Sequence, residues 1–220
     1  MAALHGVNDV TGWNRIVCGP MAVLHKATLH PSKLELLAGY LRQNSLVQLG
    51  AYRFDDPAGA VGIETHVVRD DSGAVWHLPL TYRNEPLPGI EEWAVGTLEH
   101  SVLGTRWVYN GCADPVYAGQ LIETILTGGT QVEQYFELGQ GREYREPSAT
   151  VQGSGDADEE APKVSGIHTE SFDTDTLIDA GSVQVVVRHR LDSLAPDSFS
   201  ATLIGAWDGA AQPSLLAFVP

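Results

Sequence analysis

Residues 99–117, EHSVLGTRWVYNGCADPVY, crowd Glu99, His100, Arg106, Trp107, Tyr109, Cys112 and Asp114 into one short stretch. Carboxylate, imidazole, guanidinium, phenol and thiol are the groups that acid–base and nucleophilic chemistry uses. The period of two in a strand sends Glu99 and His100 to opposite faces, and does the same to Arg106 and Trp107, so proximity in sequence is not convergence in space. Structural work accounts for most of these groups: an Arg106–Glu99 pair across a bend, Trp107 and Tyr109 on the inner side of a sheet, and Asp114 as a helix cap. In a second stretch, Glu64 and His66 share one face of a strand, and His77 joins them if the neighbouring strand pairs as expected. One carboxylate and two imidazoles can do general acid–base work or bind a ligand. The competing reading is a solvated polar face.

Other candidate groups carry less. His25 and His30 have no carboxylate or Cys at ligand spacing, so no metal is expected. TGGT at 127–130 follows a helix instead of opening one and lacks a Lys-Ser/Thr pair, so it reads as a helix C-cap, and no cofactor is expected. Cys18 and Cys112 are expected as free thiols, with Cys112 a small packing residue.

The elements that must position these groups follow from composition and period. The chain has 220 residues, 43% of them hydrophobic, enough for a core. Its 13 Lys and Arg against 28 Asp and Glu leave a net charge of -15, which argues against nucleic acid or an anionic membrane as partner. With no apolar run near the roughly 20 residues of a span and no signal-peptide pattern, the expected location is the cytoplasm. Residues 1–20 show neither period and are set aside as a disordered N-terminal extension, with Met21 the expected natural start; residues 21–220 are expected to form one domain. HPSKLELLAGYL places Leu34, Leu37, Ala38 and Leu41 on one stripe of a helix. From Tyr52 the period becomes two, and residues 60–71 and 74–83 read as a hairpin turning at Asp70–Gly73. Strands follow around 93–100 and 105–109.

Asp114 as N-cap, Pro115 at the first position, a Val116, Leu121, Ile122, Ile125 stripe and Gly128 past the end define the clearest helix. A hairpin turning at Gly139–Gly141 precedes an acidic mobile loop around 152–165, and three strands close the chain. The order implies an α+β fold, with helices packed on one face of a curved antiparallel β-sheet.

Several separated blocks, MAVLHKATLHPSKLELL, GAYRFDDPAGAVGIETHVV, LPLTYR, GTLEHSVLGTRWVYNGCADPVYAGQL and ILTGGTQ, resemble actinobacterial proteins with a maltokinase N-terminal cap-like domain. The resemblance covers most of residues 21–155. It implies a curved antiparallel sheet with a helix, of cystatin-like topology, which in full-length relatives precedes the two lobes of a sugar kinase and carries no phosphotransfer residue. The kinase residues are not found elsewhere in these 220 residues. Phosphoryl transfer needs a strand Lys, a catalytic-loop Asp and a metal-binding Asp. Lys26 and Lys33 flank the first helix and Lys163 lies in the acidic loop; RHRLD at 188–192 has the wrong spacing and reads as a strand end; AWDGA around Asp208 reads as a hairpin turn.

Two functional readings result. The first is a non-catalytic cap-like module whose partner is a protein, such as a sugar kinase or another enzyme of maltose, trehalose or glycogen metabolism. The second is a small-molecule-binding or enzymatic domain, for a sugar or sugar phosphate, that uses the concave face of the sheet and lines it with Glu64, His66, His77, His100, Arg106 and Tyr109. The sequence leaves the oligomeric state open.

Overall fold

A computed structural model describes residues 21–24, 27–138, 141–195 and 198–220. Strands β1 (Met21–Leu24) and β2 (Leu29–His30) precede helix α1 (Lys33–Leu41). Then come β3 (Leu46–Phe54), β4 (Gly62–Asp70), β5 (Val75–Arg83), β6 (Ala94–His100), β7 (Gly104–Asn110) and helix α2 (Pro115–Leu126). The chain continues through β8 (Glu133–Leu138), β9 (Gly141–Arg145), β10 (Ala149–Gly153), β11 (His168–Phe172) and β12 (Asp175–Asp179). It closes with β13 (Gln184–Arg188), β14 (Ala201–Trp207) and β15 (Ser214–Val219).

The strands form a first six-stranded sheet, β2-β6-β7-β5-β4-β3, a second, β10-β14-β15-β13-β12-β11, and a small sheet, β1-β8-β9. Apart from the parallel β1–β8 pair, the strands pair antiparallel, giving the expected α+β class with curved antiparallel sheet. Helix α1 starts where Ser32 Oγ accepts from Glu35 N–H and the Glu35 carboxylate accepts from Ser32 N–H, a reciprocal cap that satisfies two otherwise unpaired donors. It touches β3 at one edge of the first sheet and β6 near the other, so the sheet wraps around it. Leu37 packs there with Val68, Leu78, Leu80, Leu98 and Val108.

The two helices do not share a face, contrary to expectation. Helix α2 and the second sheet cover the other side of the first sheet, and one continuous apolar cluster joins Tyr52, Phe54 and Ile63 to Tyr117 and Leu121 of α2 and to Ile178, Val185 and Leu203 of the second sheet. The physical reason is visible in β4 and β5: apolar residues of both parities, Ile63 and Val67 against Val68, Leu78 and Leu80, leave neither face fit for water. The sheets are also stitched at one corner, where His77 N–H donates to His189 O and Leu191 N–H to Val75 O, both at 2.9 Å.

Three further differences have local causes. β3 begins at Leu46, six residues before alternation becomes visible, because a bulge between Gln48 and Gly50 shifts its register. β11 and β12 form a hairpin just beyond the segment read as acidic loop, where no strand was expected, since β11 is a mostly polar, mostly exposed edge strand with no apolar alternation to find. Between β10 and β11 the chain has no regular element, yet its start is anchored: Gly155 and Asp156 donate to the final carbonyls of α2, Ile125 O and Leu126 O. A Cβ on Gly155 would stand 1.8 Å from Leu126 O, so this approach requires glycine. Residues 1–20 and most of the 139–141 turn lie outside the described residues.

Candidate functional site

Glu64 and His66 of β4 lie on the face that α1 covers, and the elements around them supply partners that were not foreseen. Lys33, in the first turn of α1, donates to Glu64 Oε2. Arg53 sits directly across from Glu64 on β3 and reaches the same oxygen at 3.3 Å. His66 Nε2 is 3.9 Å from it and 3.4 Å from the Tyr82 hydroxyl, and the Lys33 ammonium lies 5.5 Å from the centre of the Tyr82 ring. Burial alone would raise the Glu64 carboxyl, but Lys33, His66 and Arg53 together outweigh it and hold the acid well below the usual carboxylate range. Burial pushes His66 down to about 4, against the pull of Glu64. At neutral pH the cluster is therefore a carboxylate between two cations beside a neutral imidazole. A carboxylate so strongly stabilised is a poor proton acceptor near pH 7, whereas it is well suited to tie α1 to the sheet.

His77 is not part of this group. It pairs with Val67, so it faces the second sheet while Glu64 and His66 face α1. Its Nδ1–H donates to Arg188 O at 2.9 Å, which leaves Nε2 to accept from the Tyr52 hydroxyl at 2.8 Å. Burial pushes His77 down to about 3 and also lowers His189, whose Nδ1–H donates to His77 O and whose Nε2 accepts from Thr176. Neither the solvated face nor a three-residue acid–base group is present at this hairpin, because His66 and His77 are both buried, on opposite sides.

The remaining candidates are dispersed. His100 organises the β6–β7 turn, its Nδ1 accepting from Val102 N–H at 3.2 Å and Leu103 N–H at 3.1 Å. Arg106 is opposite Leu98, while Glu99 is opposite Thr105 and accepts its hydroxyl at 2.7 Å. The expected Arg106–Glu99 pair is thus absent, since the register places the two side chains on opposite faces. Tyr109 pairs with Thr81, on the face away from α1, and its hydroxyl accepts from Leu87 N–H at 3.0 Å. Of the six residues, only Glu64 and His66 are brought together, and α1 fills the concave side of the sheet.

The other sequence features resolve into structural roles. Asp114 caps α2 through Val116 N–H and is completely buried under a bidentate pair with Arg83, with both distances 2.7 Å. Nothing in the sequence marked Arg83, because the partners are 31 positions apart. In RHRLD, buried Arg188 donates to Ser193 O and Leu194 O and so clamps the loop after β13, and Arg190 pairs with Asp192 at 2.8 Å while lying over Trp76. Asp208 and Gly209 form the turn between β14 and β15. Gly128 ends α2 with a φ of 64°, as a C-cap glycine does. Cys112 is buried in the apolar core, which pushes its thiol up. Among the described residues no three His, Cys, Asp or Glu gather as a metal site, and no helix is long and apolar enough to cross a membrane.

No curated protein matches the chain. Residues 38–114 match the family model of the maltokinase N-terminal cap domain, a segment that runs from α1 through β3 to β7 and stops at the N-cap of α2. That segment holds five strands of the first sheet and the end of α1, so about a third of the chain is similar to a maltokinase N-terminal cap domain.

Proposed function

We propose that the protein is a non-catalytic cap-like module that acts by binding and regulating an enzyme of maltose, trehalose or glycogen metabolism, a sugar kinase among them. The observation that carries this reading is the match of residues 38–114 to a domain that takes its name from its position as a cap on maltokinase. The geometry of that segment supports it: the buried ionisable groups Glu64, His66, His77 and Asp114 each hold one element against another. The ligand-binding reading needs the concave face open, and α1 occupies it.

The test is a phosphotransfer assay on the full chain, with magnesium ATP and maltose, trehalose or glucosamine. No sugar phosphate is expected from the chain alone, whereas turnover above the no-protein blank contradicts a non-catalytic role.

A further inference from the structure

Strand β9 is the open edge of the small sheet: β8 pairs with one side of it, no described strand pairs with the other, and residues 141–146 are all exposed. Such an edge is a template for another strand, and proteins often blunt it with charged side chains. Here the charges alternate: Arg142, Glu143, Tyr144, Arg145, Glu146.

That order is its own complement. When a second copy is turned about a two-fold axis perpendicular to the sheet through Tyr144, Glu143 faces Arg145 of the second copy and Arg142 faces Glu146, each twice, while Tyr144 faces Tyr144. Such an axis pairs residues of equal parity, so Arg142, Tyr144 and Glu146 continue one face and Glu143 and Arg145 the other. Moving the axis by one residue sets Glu143 against Glu143 or Arg145 against Arg145, so the charges select a single register. Pro147, lacking an N–H, ends the pairing. The Tyr144 face is already organised, with its ring 6.3 Å from Tyr135 and the Arg142 guanidinium 4.4 Å over Tyr135. Exposed Tyr and Arg are the residue types that interfaces favour.

We propose that β9 is a self-association edge, at which two copies of this chain pair antiparallel about Tyr144 to build one sheet of order β1-β8-β9-β9-β8-β1. The partner is a second copy because the charge pattern complements itself in antiparallel alignment.

Sedimentation equilibrium of the full chain, carried to hundreds of micromolar, tests this. The native chain is expected to dimerise, and Arg145→Glu to weaken the dimer by about tenfold or more, because two attractive cross-strand pairs become repulsive. The swap Glu143→Arg/Arg145→Glu restores dimerisation, and an equimolar mixture of the two single variants forms a heterodimer. Independently, Tyr144→Cys in a Cys18→Ser background should oxidise to a covalent dimer, as directly opposed strand residues stand about 4.5–5.5 Å apart between Cα atoms. A native chain that stays monomeric throughout, a dimer indifferent to Arg145→Glu, or a swap that fails to restore it overturns the proposal.

Discussion

His77 and His189 hold each other across the corner where the two large sheets meet: the main-chain N–H of His77 donates to His189 O, and the ring Nδ1–H of His189 donates back to His77 O, both at 2.9 Å. Each ring gives its Nδ1 proton to a carbonyl and accepts a hydroxyl proton at Nε2. Both are consequently fixed as neutral imidazoles of one tautomer, and a second proton has no acceptor at either ring.

Acid should therefore weaken the fold earlier than its carboxylates alone would. His66 and His77 titrate at about 4 and about 3 in the folded chain, and His189 is also lowered. Their unfolded value is near 6.5, so the unfolded chain binds more protons below it. The stability contribution is complete above about pH 6.5 and is lost as pH falls toward the folded values, at about 1.4 kcal/mol per unit for each histidine. Between pH 6.5 and 5 the unfolded histidines take up their protons, whereas unfolded carboxylates, with ordinary values near 4, take up few. Denaturant midpoints measured across that window, with salt to screen net charge, should fall; a flat or rising profile contradicts the wiring of the histidines.

Tyr52→Phe removes the hydroxyl that His77 Nε2 accepts and leaves the packing volume almost unchanged. A loss of about 1–2 kcal/mol is expected from the unpaired buried acceptor. Chemical denaturation of this variant gives the value directly, and no loss means that the hydrogen bond does not support the junction.

Glu64→Gln leaves Lys33 and Arg53 facing a neutral amide. The expected cost is about 1–3 kcal/mol, reduced from that of a fully buried pair because Lys33 is partly exposed. Hydrogen exchange should accelerate in α1 more than in α2. Uniform exchange in both helices argues against Glu64 as the tie between α1 and the sheet.

Asp114→Ala removes a helix cap and strands the Arg83 guanidinium at once. About 3 kcal/mol of stability should go with it. Arg83→Ala in the same background should cost much less than it does alone, and full additivity of the two changes contradicts a direct pair.

Gly155→Ala places a Cβ 1.8 Å from Leu126 O and forces the start of the acidic segment off α2. A loss of about 2 kcal/mol or more is expected. New proteolytic cleavage around residues 153–160 reports the release, and unchanged resistance means the anchor yields without cost.

Local signals were readable in the sequence and long-range ones were not. The Ser32 and Asp114 starts, the Gly128 stop and the Asp70–Gly73 turn are written in residues a few positions apart, and both helices and the β4–β5 hairpin appear where these mark them. The face of His77 depended on register: even residues of β4 meet even residues of β5, as Glu64 meets Leu80 and His66 meets Leu78, so odd-numbered His77 goes to the other side. Burial of that other side depended on strands from β10 onward, far along the chain. Lys33–Glu64 and Arg83–Asp114 each span 31 positions, and no short motif announces such a pair.

Affinity capture of the tagged full chain from native extract, with native mass spectrometry of the eluate, tests the proposed enzyme partner. A complex of fixed stoichiometry with an enzyme that phosphorylates or rearranges maltose, trehalose or glycogen is expected. Recovery of the chain only by itself or with its own copies contradicts it.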